Sequence, residues 1–169
     1  MVAGCGGGAA GSFAWLRPAA PPSSWSLTEV PDGAVLPYPA GWARIHSDPG
    51  TASAILSGHG RRILGYLNVT PRQGEESLAN WARFRIEHNG DEGDRGVTML
   101  ANAHGLQFRT GHGACVKDSY RSATGASYVE LACLVAGKRA SSVIVGAAPP
   151  HAWARVSPLL ERAISDFST

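Results

Sequence analysis

The chain has 169 residues and a mass of 17.6 kDa, the size of one compact domain with room for a terminal tail. At 44% hydrophobic and 17% charged it can fill a core, and it falls outside the collagenous, coiled-coil and acidic disordered classes. Fifteen basic and 13 acidic side chains leave +2 with the signs mixed, which is no footprint for nucleic acid, and no stretch approaches the roughly 18 to 20 apolar residues of a membrane span.

Val2-Ala3-Gly4-Cys5 resembles the lipobox of bacterial lipoproteins. In that family a small residue precedes a Cys that becomes lipidated after cleavage, so the resemblance implies membrane attachment through lipid on Cys5. The basic and apolar parts of a signal peptide would then lie upstream of Met1. Residues 6–24 hold Gly6-Gly7-Gly8, then Pro18, Pro21, Pro22, Ser23 and Ser24, and read as a flexible tether. Trp15 and Trp25 are expected either to touch a membrane interface or to fray. The predicted division is a lipobox remnant and tether over 1–24 and a single domain over 25–169. If the lipobox is coincidence, the alternative is a cytosolic partner-binding domain.

Order is expected from about Trp25 and is firm by Leu36. Leu36-Pro37-Tyr38-Pro39-Ala40-Gly41-Trp42 is a lead-in segment, because two prolines bar a central strand. Strands follow over 42–46, 52–57 and 63–70, separated by turns at Asp48-Pro49-Gly50 and Gly58-His59-Gly60-Arg61. A helix is predicted over 77–89, with Leu78, Trp81, Ala82 and Arg85 on one stripe and a left-handed stop at Asn89-Gly90. Asp91-Glu92-Gly93-Asp94 is too irregular for a calcium loop and reads as a solvated turn.

Strands are expected over 97–103 and 106–110, then a hairpin of 113–122 and 127–137. If Cys5 is the anchor, Cys115 and Cys133 remain as a pair. Their midpoint, 124, falls in a turn-like stretch, so a hairpin centred there sets them opposite each other for a cross-strand disulfide. Such a bridge implies an oxidising compartment; two buried thiols in a cytosolic protein are the alternative. The same register sets Asp118 opposite Glu130, and like charges facing each other destabilise a ladder. A bulge, or a splay toward solvent, would relieve that.

After a last strand over 141–147 the chain ends in a helix, with Trp153, Val156, Leu160, Ala163, Ile164 and Phe167 on one side. Pro158 inside it predicts a kink, or a fresh start capped by Ser157. The fold class is α+β: an α/β/α sandwich with a mainly antiparallel sheet of about seven strands and two principal helices.

Tyr38-Pro39-x-Gly41-Trp42, the long strand, the single helix, the strand meander and the Trp-bearing final helix together resemble the PsbP-like family, over about Leu36 to Phe167. With 13 Arg against 2 Lys, as suits a GC-rich bacterial source, the likeness is to bacterial lipoproteins that are PsbP-related or LpqN-like, actinobacterial in type. The resemblance implies binding or scaffolding without chemistry, with an envelope protein or lipid as partner. The Cys hairpin and the acidic turn depart from the family pattern.

The search for chemistry agrees. No GxSxG, P-loop, HExxH or dinucleotide fingerprint occurs, and no catalytic residue, cofactor or metal ligand is assigned. His104 and His112, with seven residues between them, have no ligand spacing, and His59 and His112 read as loop histidines. Asp118, Glu130, Tyr120 and Tyr128 share one face of the hairpin, expected to be a polar outer face that blocks edge aggregation. Asn68-Val69-Thr70 matches a glycosylation sequon within a strand and is read as coincidence. Trp42, Trp81 and Trp153 are expected in the core. The expected function is a non-enzymatic, lipid-anchored envelope protein. The alternatives are a carrier with an apolar lipid pocket and, behind it, a hydrolase or metal enzyme using His104, His112 or Asp118.

Overall fold

In a computed structural model, which describes residues 11–169, nine strands and two long helices form three layers. β1 (Ser26–Glu29) and β2 (Val35–Tyr38) pair as a small antiparallel hairpin. Pro37 is tolerated because this sheet has only two strands, both edges. The main sheet is built from β3 (Ala43–Ile45), β4 (Ala52–Ser57), β5 (Ile63–Pro71), β6 (Arg95–Gln107), β7 (Gly111–Arg121), β8 (Ser127–Gly137) and β9 (Ser141–Ala148). Its order is β3-β4-β5-β9-β8-β7-β6, antiparallel throughout. The expected α+β class is what the molecule has.

Helix α1 (Trp81–Asp91) carries the chain from β5 to the far edge at β6, and the returning meander fills the gap with β7, β8 and β9. Helix α2 (Pro150–Asp166) covers the opposite face. Strand alternation divides the side chains between these layers. Leu67, Val69, Cys115, Leu131, Cys133 and Ile144 join Val156, Leu160 and Ile164 of α2 in the larger core. Val116, Ala132, Leu134, Val143 and Val145 pack with Trp81 in the smaller one. Gly65 serves the larger core by having no side chain: a Cβ there would lie 2.7 Å from the Trp42 ring.

Several boundaries differ from expectation for physical reasons. β6 is one bulged strand rather than two, with register shifts near Gly96 and Gly105, both at positive φ. α1 runs past Asn89-Gly90, and the left-handed residue is Gly93, at φ 98°. α2 does not restart at Pro158. It is continuous from Pro150, which occupies the first turn where a missing N–H costs nothing, and Ser157 is buried rather than a cap. Both Pro158 and Ala154, whose carbonyl Pro158 leaves unpaired, face solvent.

Residues 11–24 are not free. Phe13 is 2% exposed within the larger core, and Trp15, Leu16 and Trp25 pack partly against it. The Arg17 N–H donates to Ser165 Oγ (3.1 Å), and Arg162 Nη2 donates to the Ala20 carbonyl (3.3 Å). Packing therefore begins before Trp25, because one aromatic residue outweighs its Gly- and Pro-rich surroundings. Cys5, the expected lipidation site, lies outside the described residues.

The Cys115–Cys133 disulfide forms across the β7–β8 ladder in the expected register, with Cα atoms 4.1 Å apart. Closing this loop contributes roughly 3 kcal/mol in the chain-entropy treatment. Cys133→Ser should lower the oxidised melting temperature by roughly 5–10 °C, and reductant should lower the wild type to match. Identical oxidised melts would exclude that contribution. Phe13→Ala should cost roughly 3 kcal/mol in urea denaturation, the usual loss for a buried Phe, whereas a free tether would show no change.

Candidate functional site

The register of the central strands sets polar residues in rows on the α1 face. One row runs Asp118, Glu130, Ala147 and Tyr66; the next runs Val116, Ala132, Val145, Asn68 and Ser53. α1 covers the β6–β8 side of this face and leaves β3–β5 open. The result is a groove of about 520 Å³, lined mainly by polar groups. Ser53, Tyr66, Asn68, Thr70, Tyr120 and Glu130 come from the sheet, Arg85, His88 and Asn89 from α1, and Asp94 from the chain just beyond it. The β3–β4 turn adds His46, Asp48 and Thr51.

The floor is tightly built. Arg85 forks onto both oxygens of Glu130, Nε at 2.8 Å and Nη2 at 3.0 Å, and Asn89 Nδ2 donates to the same carboxylate at 3.4 Å. Trp81 anchors the preceding turn of α1 by donating to the Ala132 carbonyl (2.9 Å). Thus the helical stripe read from Trp81 and Arg85 continues to Asn89. Asn68 Nδ2 bonds Ser53 Oγ (2.9 Å) and the Ala52 carbonyl (3.3 Å), so the sequon Asn is engaged in holding β5 to β4.

Asp118 and Glu130 do not form an exposed outer face. They are 0% and 2% exposed, directly opposed in an unshifted stretch of ladder, with neither bulge nor splay. Burial, aided by the Glu130 charge, pushes the Asp118 carboxyl up to about 8. Neither Asp118 oxygen meets a hydrogen-bond partner. At neutral pH the raised value keeps the group a neutral acid, which removes the like-charge conflict. Burial alone would weaken the charge of Arg85, but Glu130 outweighs it and holds the guanidinium above its ordinary value. Burial, with Glu130 adding to it, keeps the Tyr120 phenol protonated, and burial raises Tyr66 as well. Tyr120 and Tyr128 pack ring to ring at 5.8 Å. The turn after α1 is not wholly solvated either: Asp94 is half-buried beside the groove and raised by burial, then by Glu130.

The remaining candidates are dispersed. His104 and His112 are exposed on β6 and β7, away from the groove lining, and no cluster with metal-binding potential occurs among the described residues. Trp42 and Trp81 are core residues, while Trp153 is half-exposed beneath Lys117 Nζ, 5.3 Å from its ring centre. The groove itself has no short sequence motif. Its signal is the pair of facing carboxyl positions together with Arg85 on the buried stripe of the helix.

The architecture defined here is an α/β/α domain with one helix layer covering only part of its sheet face. No family model matches the chain, and no curated protein matches it. Among solved structures the fold is similar to cyanobacterial PsbP from Synechocystis, at 14% identity and a TM-score of 0.56, over 100% of this chain and 98% of that one. A Pseudomonas aeruginosa protein of unknown function aligns at 12% identity and TM-score 0.57, over 87% of this chain and 98% of that one. LpqN of Mycobacterium tuberculosis, involved in cell envelope biogenesis, aligns at 13% identity over 88% and 81%, but its TM-score of 0.39 carries no argument. The fold is PsbP-like; identities this low speak to nothing finer.

Asp118 generates a pH test. Its folded value is raised above the ordinary 3.8, so the folded state holds this proton more tightly. That advantage is full below about pH 4 and is lost as pH rises through about 8. Asp118→Asn keeps the side chain's size and neutrality and has no proton to lose. Urea midpoints of the variant should gain on the wild type steadily between about pH 5 and 8, then hold level. Curves that run parallel across that window would show that Asp118 carries no shifted proton.

Proposed function

We propose that the protein is a non-enzymatic envelope protein, lipid-anchored through Cys5, whose PsbP-like domain holds a protein partner or an envelope component in the polar groove. The observation that carries this reading is the groove itself, a prebuilt polar concavity on the sheet face that α1 leaves open. The disulfide supports an extracytoplasmic location, where such bridges form and persist.

A binding role fits the groove better than catalysis does. Glu130 is committed to Arg85 and Asn89, and Asp118 lies fully buried behind it, so the carboxyl pair is not poised toward a substrate. The carrier reading has less support. The layer between the sheet and α2 is filled by Leu36, Leu67, Ile144, Leu160, Ile164 and Phe167. No helix of the described residues is long and apolar enough to cross a membrane.

Two measurements test the proposal. Radiolabelled palmitate should enter the protein in its native envelope and be absent from Cys5→Ser; an unlabelled wild type would refute the anchor. Native mass spectrometry of protein from that envelope should show a bound species. Gln73→Trp, which puts a large side chain into the groove rim from an exposed position, should remove it. Retention of that species by the variant would move the binding site elsewhere.

A further inference from the structure

The amino-terminal strap runs antiparallel to α2. Ser165 Oγ, near the end of the helix, bonds both the Trp15 carbonyl (3.5 Å) and the Arg17 N–H (3.1 Å), while Arg162, one turn earlier, reaches Ala20 (3.3 Å). Followed upstream, the chain therefore leaves at the carboxy-terminal end of α2. Two connections of the sheet lie at that same end. Gly111 pairs with Gly137, which places the β6–β7 turn beside the β8–β9 turn, and the Thr169 N–H donates to Thr110 Oγ1 (2.8 Å).

These two turns carry Arg109, Lys138 and Arg139 around an open concavity of about 460 Å³. All three are exposed, and none forms an ion pair among the described residues. The acidic side chain lining the concavity, Asp32, has both oxygens engaged: Oδ1 accepts from the Ala34 N–H (2.9 Å) and Oδ2 from the Ser142 hydroxyl (3.3 Å). Trp15 and Leu16, half-buried on the strap, add an aromatic and an aliphatic group of the kind that sit at a headgroup boundary.

We propose that this end of the molecule is a docking face for an anionic phospholipid surface, with Arg109, Lys138 and Arg139 engaging headgroup phosphates. The proposal rests on the envelope location argued above but not on lipid at Cys5. It complements such an anchor. Five residues lie between Cys5 and Gly11, and the six steps span at most about 20 Å, so a lipid there would hold this end against the bilayer.

The test uses the oxidised full chain carrying Cys5→Ser, so that no lipid contributes. At low salt the protein should partition onto vesicles of phosphatidylglycerol mixed with phosphatidylcholine, and not onto phosphatidylcholine alone. In amide NMR with nanodiscs of the anionic mixture, signals of residues 109–111 and 137–140 should broaden first, which registers binding too weak to sediment. Combined Arg109→Gln, Lys138→Gln and Arg139→Gln should lower partitioning at least about tenfold, since each basic group near such a surface is worth roughly fivefold. Arg61→Gln with Arg62→Gln, at the opposite end of β5, should leave it unchanged. All five positions are exposed, and unchanged melting would show that the variants fold. The proposal is overturned by broadening that is absent or uniform, by binding to both lipid mixtures alike, or by equal losses in the two variants. Loss of palmitate labelling in the envelope experiment would leave this result untouched, so the two readings fail separately.

Discussion

Two carboxyl groups face one guanidinium beneath α1, and much of the molecule is arranged around that inequality. Asp118 and Glu130 are cross-strand partners with almost no exposure, and Arg85 is the cation beside them, bonded to Glu130 alone. Two buried negative charges against one positive charge would be costly, so one carboxyl keeps its proton. With that proton in place the cluster is neutral, and α1 can close over it. An ion pair of this kind adds little stability compared with a well-packed apolar core, but removing one partner leaves a buried charge and is strongly destabilising. Its structural consequence is positional: Arg85 and Asn89 fix where along the sheet α1 sits, and so where its cover ends.

The opposite face holds the same hairpin by a different means. Cys115 and Cys133 point toward α2, while Asp118 and Glu130 point toward α1. A slip of one residue between β7 and β8 would break the disulfide and carry every side chain of the moved strand to the wrong layer. The covalent link and the ion pair therefore specify one register from both sides of the sheet. That rigidity matters because Glu130 and Tyr120, two of the groove residues, stand on these strands.

The hairpin was legible in the sequence because its evidence is local: two cysteines equidistant from a turn permit one pairing, and the structure has it. The clash this register implied between Asp118 and Glu130 was also legible, but its resolution was not. Strand periodicity shows that two residues share a face, not whether that face is covered. Covering depends on the path of the chain from β5 to the far edge at β6, a long-range feature with no local signature. Arg85 was visible on the helix stripe, and an arginine there points to a buried acid awaiting it. The groove followed neither from motif nor composition, since it is a gap between elements. The tether reading fails over residues 11–24 because composition averages over residues, whereas Phe13, with Trp15 and Leu16 beside it, supplies apolar surface that docks the segment.

The docked strap constrains how the domain would be presented if it is anchored as proposed. A free tether of residues 6–24 would let the domain sample orientations and reach partners well away from a membrane. Packed from Phe13 onward, the chain leaves the domain at one defined end. The groove is on the opposite sheet face from α2, along which the strap runs, so its direction relative to the strap is set by the fold rather than by a linker. An anchor at Cys5 would then present the groove in a restricted range of orientations. A rigidly presented site loses less entropy on binding than one on a swinging domain. With the proposed anchor, the arrangement would favour recognition of a partner at a fixed distance from the membrane over capture of a freely diffusing solute.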